Sequence, residues 1–406
     1  MRSEKVTFEG TDGPLAARLD LPVGKPLTYA LFAHCFTCTK DIAAASRIAK
    51  TLTRLGIATL RFDFTGLGES DGEFANTNFT SNIADIIKAA EYLGQKYEAP
   101  TLLIGHSLGG AAVLAAAGDL PSVRAVATIG APFDPAHAGQ HFVDFHDAIR
   151  ASEEGVEVDI GGRPFRVKKQ FLDDIEAYAA GDRLKKMKKA LLVMHAPLDD
   201  IVGINNATNI FVAARHPKSF ISLDGADHLL RREADAAYAA EMIGRWATRF
   251  IPALAPVVPK SALAGDPTDT YTIEAGEGFL QYVETAGHHL YADEPFSVGG
   301  TNRGPSPYDL LIAGLGACTS MTVRMYANRK KWPLERVSVR LRHSKVHATD
   351  CAECETTEGK IDLIEREIEL KGDLDDAQRA RLMEIADRCP VHRTLHSEVK
   401  IETKLA

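Results

Sequence analysis

Cysteine is scarce in this chain, six residues in 406, too few for a disulfide scaffold. A basic excess is missing as well. The 47 Lys and Arg stand against 55 Asp and Glu, a net charge of -8, which argues against a nucleic-acid partner because phosphate binding needs a basic surface. No apolar run approaches the ~18 residues that cross a bilayer, so no spanning segment and no membrane partner are expected. The first residues, MRSEKVTFEGTDG, lack the apolar stretch of a secretory signal and read as a strand and turn, which makes the cytoplasm the expected location. Low-complexity tracts and internal repeats are absent. What is present is ordinary globular composition, 45% hydrophobic and 25% charged, on a chain long enough for two domains or three. Four of the cysteines fall in two CxxC pairs, Cys35 with Cys38 and Cys351 with Cys354. In a reducing compartment such pairs are more often redox-active or metal-binding than structural.

Up to about Phe250, short apolar runs (LTYALFAH, IATLRFDF, TLLIG, VRAVATIG, ALLVMH, SFISL) alternate with amphipathic segments such as Ile42–Leu55, Ser81–Tyr97 and Asp235–Phe250. Buried strands separated by helices predict a doubly wound, mostly parallel α/β sheet over residues 1–250. The excursion at 131–189, with a hairpin turn at Gly161–Gly162, predicts a small cap over the active-site edge. Its Phe133, Phe142, Phe145, Phe165 and Phe171 suit either an apolar substrate group or packing within the cap. IPALAPVVPKSALAGDPTD, at 251–269, has no period and reads as a linker. From 270 to 406 strands come in runs rather than alternating with helices, which predicts a second, α+β domain. Its apolar segment SPYDLLIAGLGACTSMTVRMYANRK reads as a long helix buried on nearly all sides at its centre, and its last residues as a strand.

Gly105-His106-Ser107-Leu108-Gly109 has the form GxSxG, directly after the strand TLLIG and before the small-residue helix GGAAVLAAAG. That context suits a nucleophile at Ser107: a sharp strand-to-helix turn projects the hydroxyl, and the flanking glycines remove the Cβ atoms that would clash. A serine needs a base, and the base an orienting carboxylate. His228 follows SFISLDGAD as the candidate base; Asp199 follows ALLVMH as the acid, with Asp200 as its rival. An oxyanion hole needs two backbone N–H donors, one expected from Leu108 and one from Phe36 in the loop after LTYALFAH. Cys35 and Cys38 beside that loop leave two readings open: a pair whose oxidation perturbs the hole, or two small residues lining a turn. RFDFTGLGESDG, Arg61–Gly72, reads as a strand and loop whose charges carry no catalytic role. With HAPLDDIV close to the pattern HGxxDxxV and His34-Cys35-Phe36 close to HGx, residues 1–250 resemble the α/β-hydrolase family. The resemblance implies hydrolysis of an ester, thioester or amide through an acyl-enzyme, with Asp199 as the acid.

In the second domain Cys318 lies inside the apolar helix and Cys389 ends a later one, 71 residues on. GPSPYDLLIAGLGACTSM and ADRCPVHRTL give residues 270–406 a resemblance to the OsmC and organic-hydroperoxide-reductase family, whose reactive pair falls at these two cysteines. The resemblance implies an intertwined homodimer and thiol-dependent reduction of organic hydroperoxides, with an external dithiol as reductant. The family pairs an arginine from early strands with a glutamate ten residues before the reactive cysteine. Here that position is Tyr308, with Asp309 beside it, and Arg303 is the nearest arginine. Arg303 and Asp309 are therefore the candidates for activating the thiolate. HSKVHATDCAEC sets Cys351 and Cys354 after His343 and His347, which reads as a zinc site, a second redox pair or an inert loop. The combined expectation is a serine esterase fused to a thiol peroxidase, acting on small-molecule esters and hydroperoxides without metal or organic cofactor. The alternative is an esterase whose second domain only dimerises it or senses redox state or metal.

Overall fold

The computed structural model describes residues 2–405 except 36–37, 161–162, 179, 256–268, 276–277 and 348–358. The Gly161–Gly162 turn therefore lies outside the described residues, as do Phe36, Cys351 and Cys354. The chain forms two compact units, Met1–Val257 and Val258–Ala406. Most of the expected linker also falls outside the described residues. Its first part is not loose, because Ile251 and Leu254 are buried in the N-terminal core.

The N-terminal unit is built on strands β1 (Arg2–Glu9), β2 (Pro14–Leu21), β3 (Thr28–Ala33), β4 (Ile57–Phe62), β5 (Leu102–His106) and β6 (Ala125–Ile129). A short antiparallel hairpin, β7 (Val156–Asp159) with β8 (Pro164–Val167), belongs to the excursion. Strands β9 (Ala190–His195) and β10 (Lys218–Ser222) complete an eight-stranded sheet in the order β1-β2-β4-β3-β5-β6-β9-β10. From β4 to β10 every neighbouring pair is parallel; the β1–β2 and β2–β4 pairs are antiparallel, so β2 alone runs against the rest. β3, β4, β5, β6 and β9 are buried at every residue, as strands covered on both faces must be.

Their side chains divide between two cores. Tyr29, Leu31 and Leu103 point into one, with the helices Phe79–Lys96 and Leu108–Ala116. Ala30, Phe32, Leu102 and Ile104 point into the other, with Ala43–Arg54 and Glu233–Ala247. Each large apolar side chain fully buried this way contributes about 1.5–3 kcal/mol relative to exposure. The chain steps from β3 to β4 on one side and returns to β5 on the other. The carboxyl ends of β3 and β5 therefore flank the crevice where such sheets bind ligands. In the excursion, Phe142 and Phe171 are buried against each other, Phe165 packs on Phe74 and Phe145 is exposed.

The C-terminal unit holds a three-stranded antiparallel sheet, β11 (Thr270–Glu274), β12 (Gln281–Thr285) and β13 (His288–Ala292). It also has a long antiparallel ribbon, β14 (Leu334–His347) with β15 (Lys360–Gly372). Between them runs the helix Pro307–Lys330, started by a Ser306/Asp309 capping box and ended by Lys331 in the left-handed region. The expectation of a helix buried on nearly all sides at its centre is not met. Leu315, Gly316, Thr319, Val323 and Ala327 form one buried stripe at four-residue spacing, while Met321 and Met325 are 68% and 66% exposed. The expected lack of a membrane-length apolar segment is not met either. Among the described residues this one helix is long and apolar enough, by length and composition, to cross a membrane. Its few charges interrupt the apolar run without lowering the average enough to exclude it. Among the described residues no strand follows Leu395; Val399 and Ile401, which alternate as a strand would, are exposed there.

Candidate active site

Ser107 sits between β5 and the helix Leu108–Ala116 with φ 54° and ψ −126°, a conformation rarely adopted by a residue with a Cβ. Packing holds it there. A Cβ on Gly105 would strike the backbone of Gly109, one on Gly109 the backbone of Ala33 and His34, and one on Gly110 the Cβ of Ala131. The GxSxG glycines thus let the helix press against the ends of β3 and β5, leaving Ser107 at the rim. The Ser107 N–H donates to Ile129 O at 2.9 Å, which ties the turn to β6.

The loops after β9 and β10 bring the partners. His228 Nε2 lies 3.0 Å from Ser107 Oγ, and His228 Nδ1 lies 2.8 Å from Asp199 Oδ2. The second carboxylate oxygen of Asp199 accepts the N–H groups of Ile201 at 2.9 Å and Val202 at 2.8 Å. Burial works to raise the Asp199 carboxyl, but its bonds from His228 and the two amides outweigh it and hold the group below the ordinary carboxylate range. Asp200, the rival acid, is exposed. Gly130 leaves room for the pair: a Cβ there would stand 3.2 Å from His228 Nδ1 and 3.3 Å from Asp199 Oδ2.

Three histidines that the motif reading passed over lie beneath this row, each at the end of a parallel strand. His34 Nδ1 is 2.7 Å from Cys35 O, His106 Nε2 2.7 Å from His228 O, and His195 Nε2 2.7 Å from Val202 O. A carbonyl only accepts, so in each case the ring nitrogen carries the hydrogen. Burial pushes all three below the ordinary histidine value. His106 falls to about 4, with His228 adding to the effect of burial. They are neutral clamps on the loops that carry the Cys35 turn, the base and the acid. A partial signal was present in the sequence, since two of the apolar runs end in His and a third, TLLIG, is followed by one.

The loop after β3 is braced from several sides. Cys35 and Cys38 form a disulfide. Lys40, 1% exposed, places Nζ 2.7 Å from Asp63 Oδ2 and 2.8 Å from Glu69 Oε2, while its N–H donates to Asp63 Oδ1 at 2.6 Å. Arg61 donates to Lys40 O and pairs with Asp20 at 2.7 Å. Burial alone would lower the Lys40 ammonium, but its bonds to Asp63 and Glu69 raise it above the ordinary lysine value. Among the described residues the charges of Arg61–Gly72 form no hydrogen bond with Ser107, and through Lys40 they brace the loop after β3. Leu108 is buried at the helix start beside a narrow hollow lined by His34, Phe64, Leu67, Phe74 and Ala112.

In the C-terminal unit Cys318 and Cys389 are both free thiols, the first partly exposed and the second buried. The fold brings them to one turn: Cys318 Sγ accepts the N–H of Val391 at 3.5 Å, and Cys389 Sγ that of His392 at 3.3 Å. Of the two residues expected to activate a thiolate, Asp309 has its carboxylate engaged in a helix cap and Arg303 has its backbone N–H on Asp293. Asp309 accepts from the Ser306 N–H at 2.9 Å and hydroxyl at 2.7 Å as a helix cap, about 13 Å along the axis from Cys318. The Arg303 N–H, with Thr301, wraps the carboxylate of Asp293. Tyr308, in the place of the glutamate, stacks on His343 with ring centroids 4.2 Å apart. His343 in turn bonds Asp362 at 2.8 Å, and among the described residues no cluster of three metal-binding side chains is found.

Two family models match the chain: serine aminopeptidase, S33, over residues 38–156, and OsmC-like protein over residues 300–404. The esterase domain of a Rhodothermus marinus protein is 52% identical over 62% of this chain and 100% of that domain, with a TM-score of 0.52. Est1E from Butyrivibrio proteoclasticus, solved with ferulic acid bound, is 22% identical over 61% of this chain and 99% of its own, with a TM-score of 0.50, a likeness of fold. Among curated proteins, the uncharacterised YfhR of Salmonella typhi is 23% identical over 231 residues, 56% of this chain and 75% of its own.

Proposed function

We propose, for a chain that joins an α/β-hydrolase domain to an OsmC-like domain, that its first domain is a serine esterase. The observation that carries this reading is the continuous hydrogen-bonded row Ser107–His228–Asp199, with contacts of 3.0 and 2.8 Å. Ser107 Oγ attacks the ester carbonyl as its proton passes to His228 Nε2. Asp199 holds the Nδ1 hydrogen and stabilises the imidazolium. The Leu108 N–H at the helix start and the Phe36 N–H stabilise the oxyanion. His228 returns the proton to the leaving alcohol, and water then releases the acid from Ser107 by the same route. The close esterase relative favours a carboxylic ester over an amide.

The second domain, in this reading, reduces organic hydroperoxides. The Cys318 thiolate cleaves the O–O bond and becomes a sulfenic acid, Cys389 condenses with it to a disulfide, and an external dithiol restores both. The joint placement of the two thiols supports it. The exposed apolar face of Pro307–Lys330 supports a homodimer through this domain. Neither reaction calls for a metal or organic cofactor, and a dithiol-recycled enzyme belongs in the cytoplasm, where thiols are kept reduced. A domain that only dimerises or senses redox state is the competing role.

A paired assay on wild type, Ser107→Ala and Cys318→Ser tests both halves. Each variant receives a short-chain aryl ester, then an alkyl hydroperoxide with a dithiol. Loss of ester hydrolysis alone in the first, and of peroxide reduction alone in the second, is the expected result. Ester hydrolysis without any peroxide consumption by the wild type would leave the second domain a scaffold or sensor.

A further inference from the structure

The two sulfurs of the C-terminal unit are unequal. Cys318 Sγ is partly exposed and receives one amide N–H at 3.5 Å. Cys389 Sγ is buried, receives the N–H of His392 at 3.3 Å, and lies 3.6 Å from the hydroxyl of Thr319. Behind that hydroxyl stands Arg366 of β15, whose Nη1 donates to Thr319 Oγ1 at 3.1 Å and to Ala386 O at 3.3 Å. A guanidinium has no acceptor, so Thr319 Oγ1 accepts from it and keeps its own hydrogen for another partner. Thr322, on the same helix, uses its hydroxyl hydrogen in the ordinary way, on the carbonyl four residues back, at 2.8 Å. Thr319 is fully buried and turned to Cys389 instead.

We propose that Arg366 and Thr319 are a positioning pair that makes Cys389 the leaving sulfur, so that an external dithiol attacks the Cys318 end of the oxidised pair. The proposal rests on the dithiol-recycled reading given above. In thiol–disulfide exchange the sulfur that departs as the better-stabilised thiolate leaves faster, and access decides which sulfur is reached. Both factors select the same direction here. A reductant thiolate attacks Cys318 Sγ, and the S–S electron pair passes to Cys389 Sγ. There the Thr319 O–H and the His392 N–H receive it, with the Arg366 charge behind the hydroxyl. The second thiol of the reductant then displaces Cys318 Sγ and leaves as a cyclic disulfide, and the two protons of the dithiol end on the two cysteines. Two other ionisable groups border the site. Asp387 pairs with Arg366 but is 63% exposed against 13% for the arginine, so solvent screens it more. The His392 ring stacks on His396 with centroids 4.5 Å apart.

The test needs no peroxide. Full-length protein is oxidised with diamide, which joins two thiols directly, and is then treated with a monothiol such as 2-mercaptoethanol. The mixed disulfide is located by peptide mass spectrometry. The wild type is expected to carry the adduct on Cys318 in preference to Cys389 by roughly tenfold or more. Thr319→Val, close in shape but without the hydroxyl, should lower that ratio severalfold, the remainder being set by the burial of Cys389, and slow the exchange; Thr319→Ser should restore it. Arg366→Met should act in the same direction, and the threonine variants decide the matter if that protein does not fold. An adduct mainly on Cys389, a ratio unmoved by Thr319→Val, or a pair that diamide cannot join would each overturn the proposal. A diamide-formed disulfide with the expected ratio in a protein that never consumes hydroperoxide would instead overturn the peroxidase reading and leave this one standing.

Discussion

The two units build their reactive groups in opposite ways. In the first, Ser107, Asp199 and His228 stand at or after the ends of β5, β9 and β10; buried histidines tie down the loops of the base and the acid, and a buried lysine braces the loop after β3. Parallel strands end along one edge, so residues far apart in sequence reach one row within one chain. In the second, the thiols lie on a helix and on the turn after another. The carboxylate of Asp309, one of the two residues expected as activators, is engaged in a helix cap, and much of the central helix is uncovered. The first row is drawn from strand ends of one chain, while the second pair lies on the flank of a helix that the chain leaves partly uncovered.

This contrast is breakable by substitution, and the largest effect belongs to the first unit. Asp199→Asn should keep the fold and lower kcat for ester hydrolysis by about 10⁴-fold, since the imidazole loses its oriented tautomer. Peroxide reduction should be unchanged, and a parallel fall in both activities would show that the sites are not separate. Next is Lys40→Met. It leaves Asp63 buried without its cation, which costs about 3–5 kcal/mol when one partner of such a pair is removed. Chemical denaturation should register the loss in the N-terminal transition alone.

The buried histidines sharpen the comparison through pH. Their values are lowered on folding, so unfolded chains bind protons first and stability is complete above the unfolded value of about 6.5. It should fall as pH drops from there toward about 4, where His106 itself protonates. Denaturation midpoints across that range should decline, and His106→Gln should flatten part of the slope. The smallest effect is expected at Cys35→Ser. Opening the four-residue disulfide ring removes about 2 kcal/mol by the loop-entropy relation, and kcat for the ester should drop a few-fold with KM little changed. Equal activity with and without a strong reducing agent would remove any role of that bond in the oxyanion loop.

What was legible in the sequence follows from the same contrast. The strands were visible as apolar runs because both faces of the sheet are covered, and Ser107, Asp199 and His228 were visible because each follows such a run directly. His34, His106, His195, Gly130 and the Lys40–Asp63 pair were not, because their roles are contacts between loops that only the fold brings together. In the second unit the apolar composition of Pro307–Lys330 suggested burial on nearly all sides. Composition cannot tell a face buried in its own chain from a face that chain leaves open. Arg366 lay 48 positions past Cys318 with no pattern to mark it.

The most direct test of the central claim is a fluorophosphonate probe, which forms a stable adduct with an activated serine. Full-length protein should take up about one equivalent, located at Ser107 by peptide mass spectrometry, with labelling abolished in His228→Ala. Ester hydrolysis that continues with Ser107 unlabelled, or a label on another serine, would contradict the account.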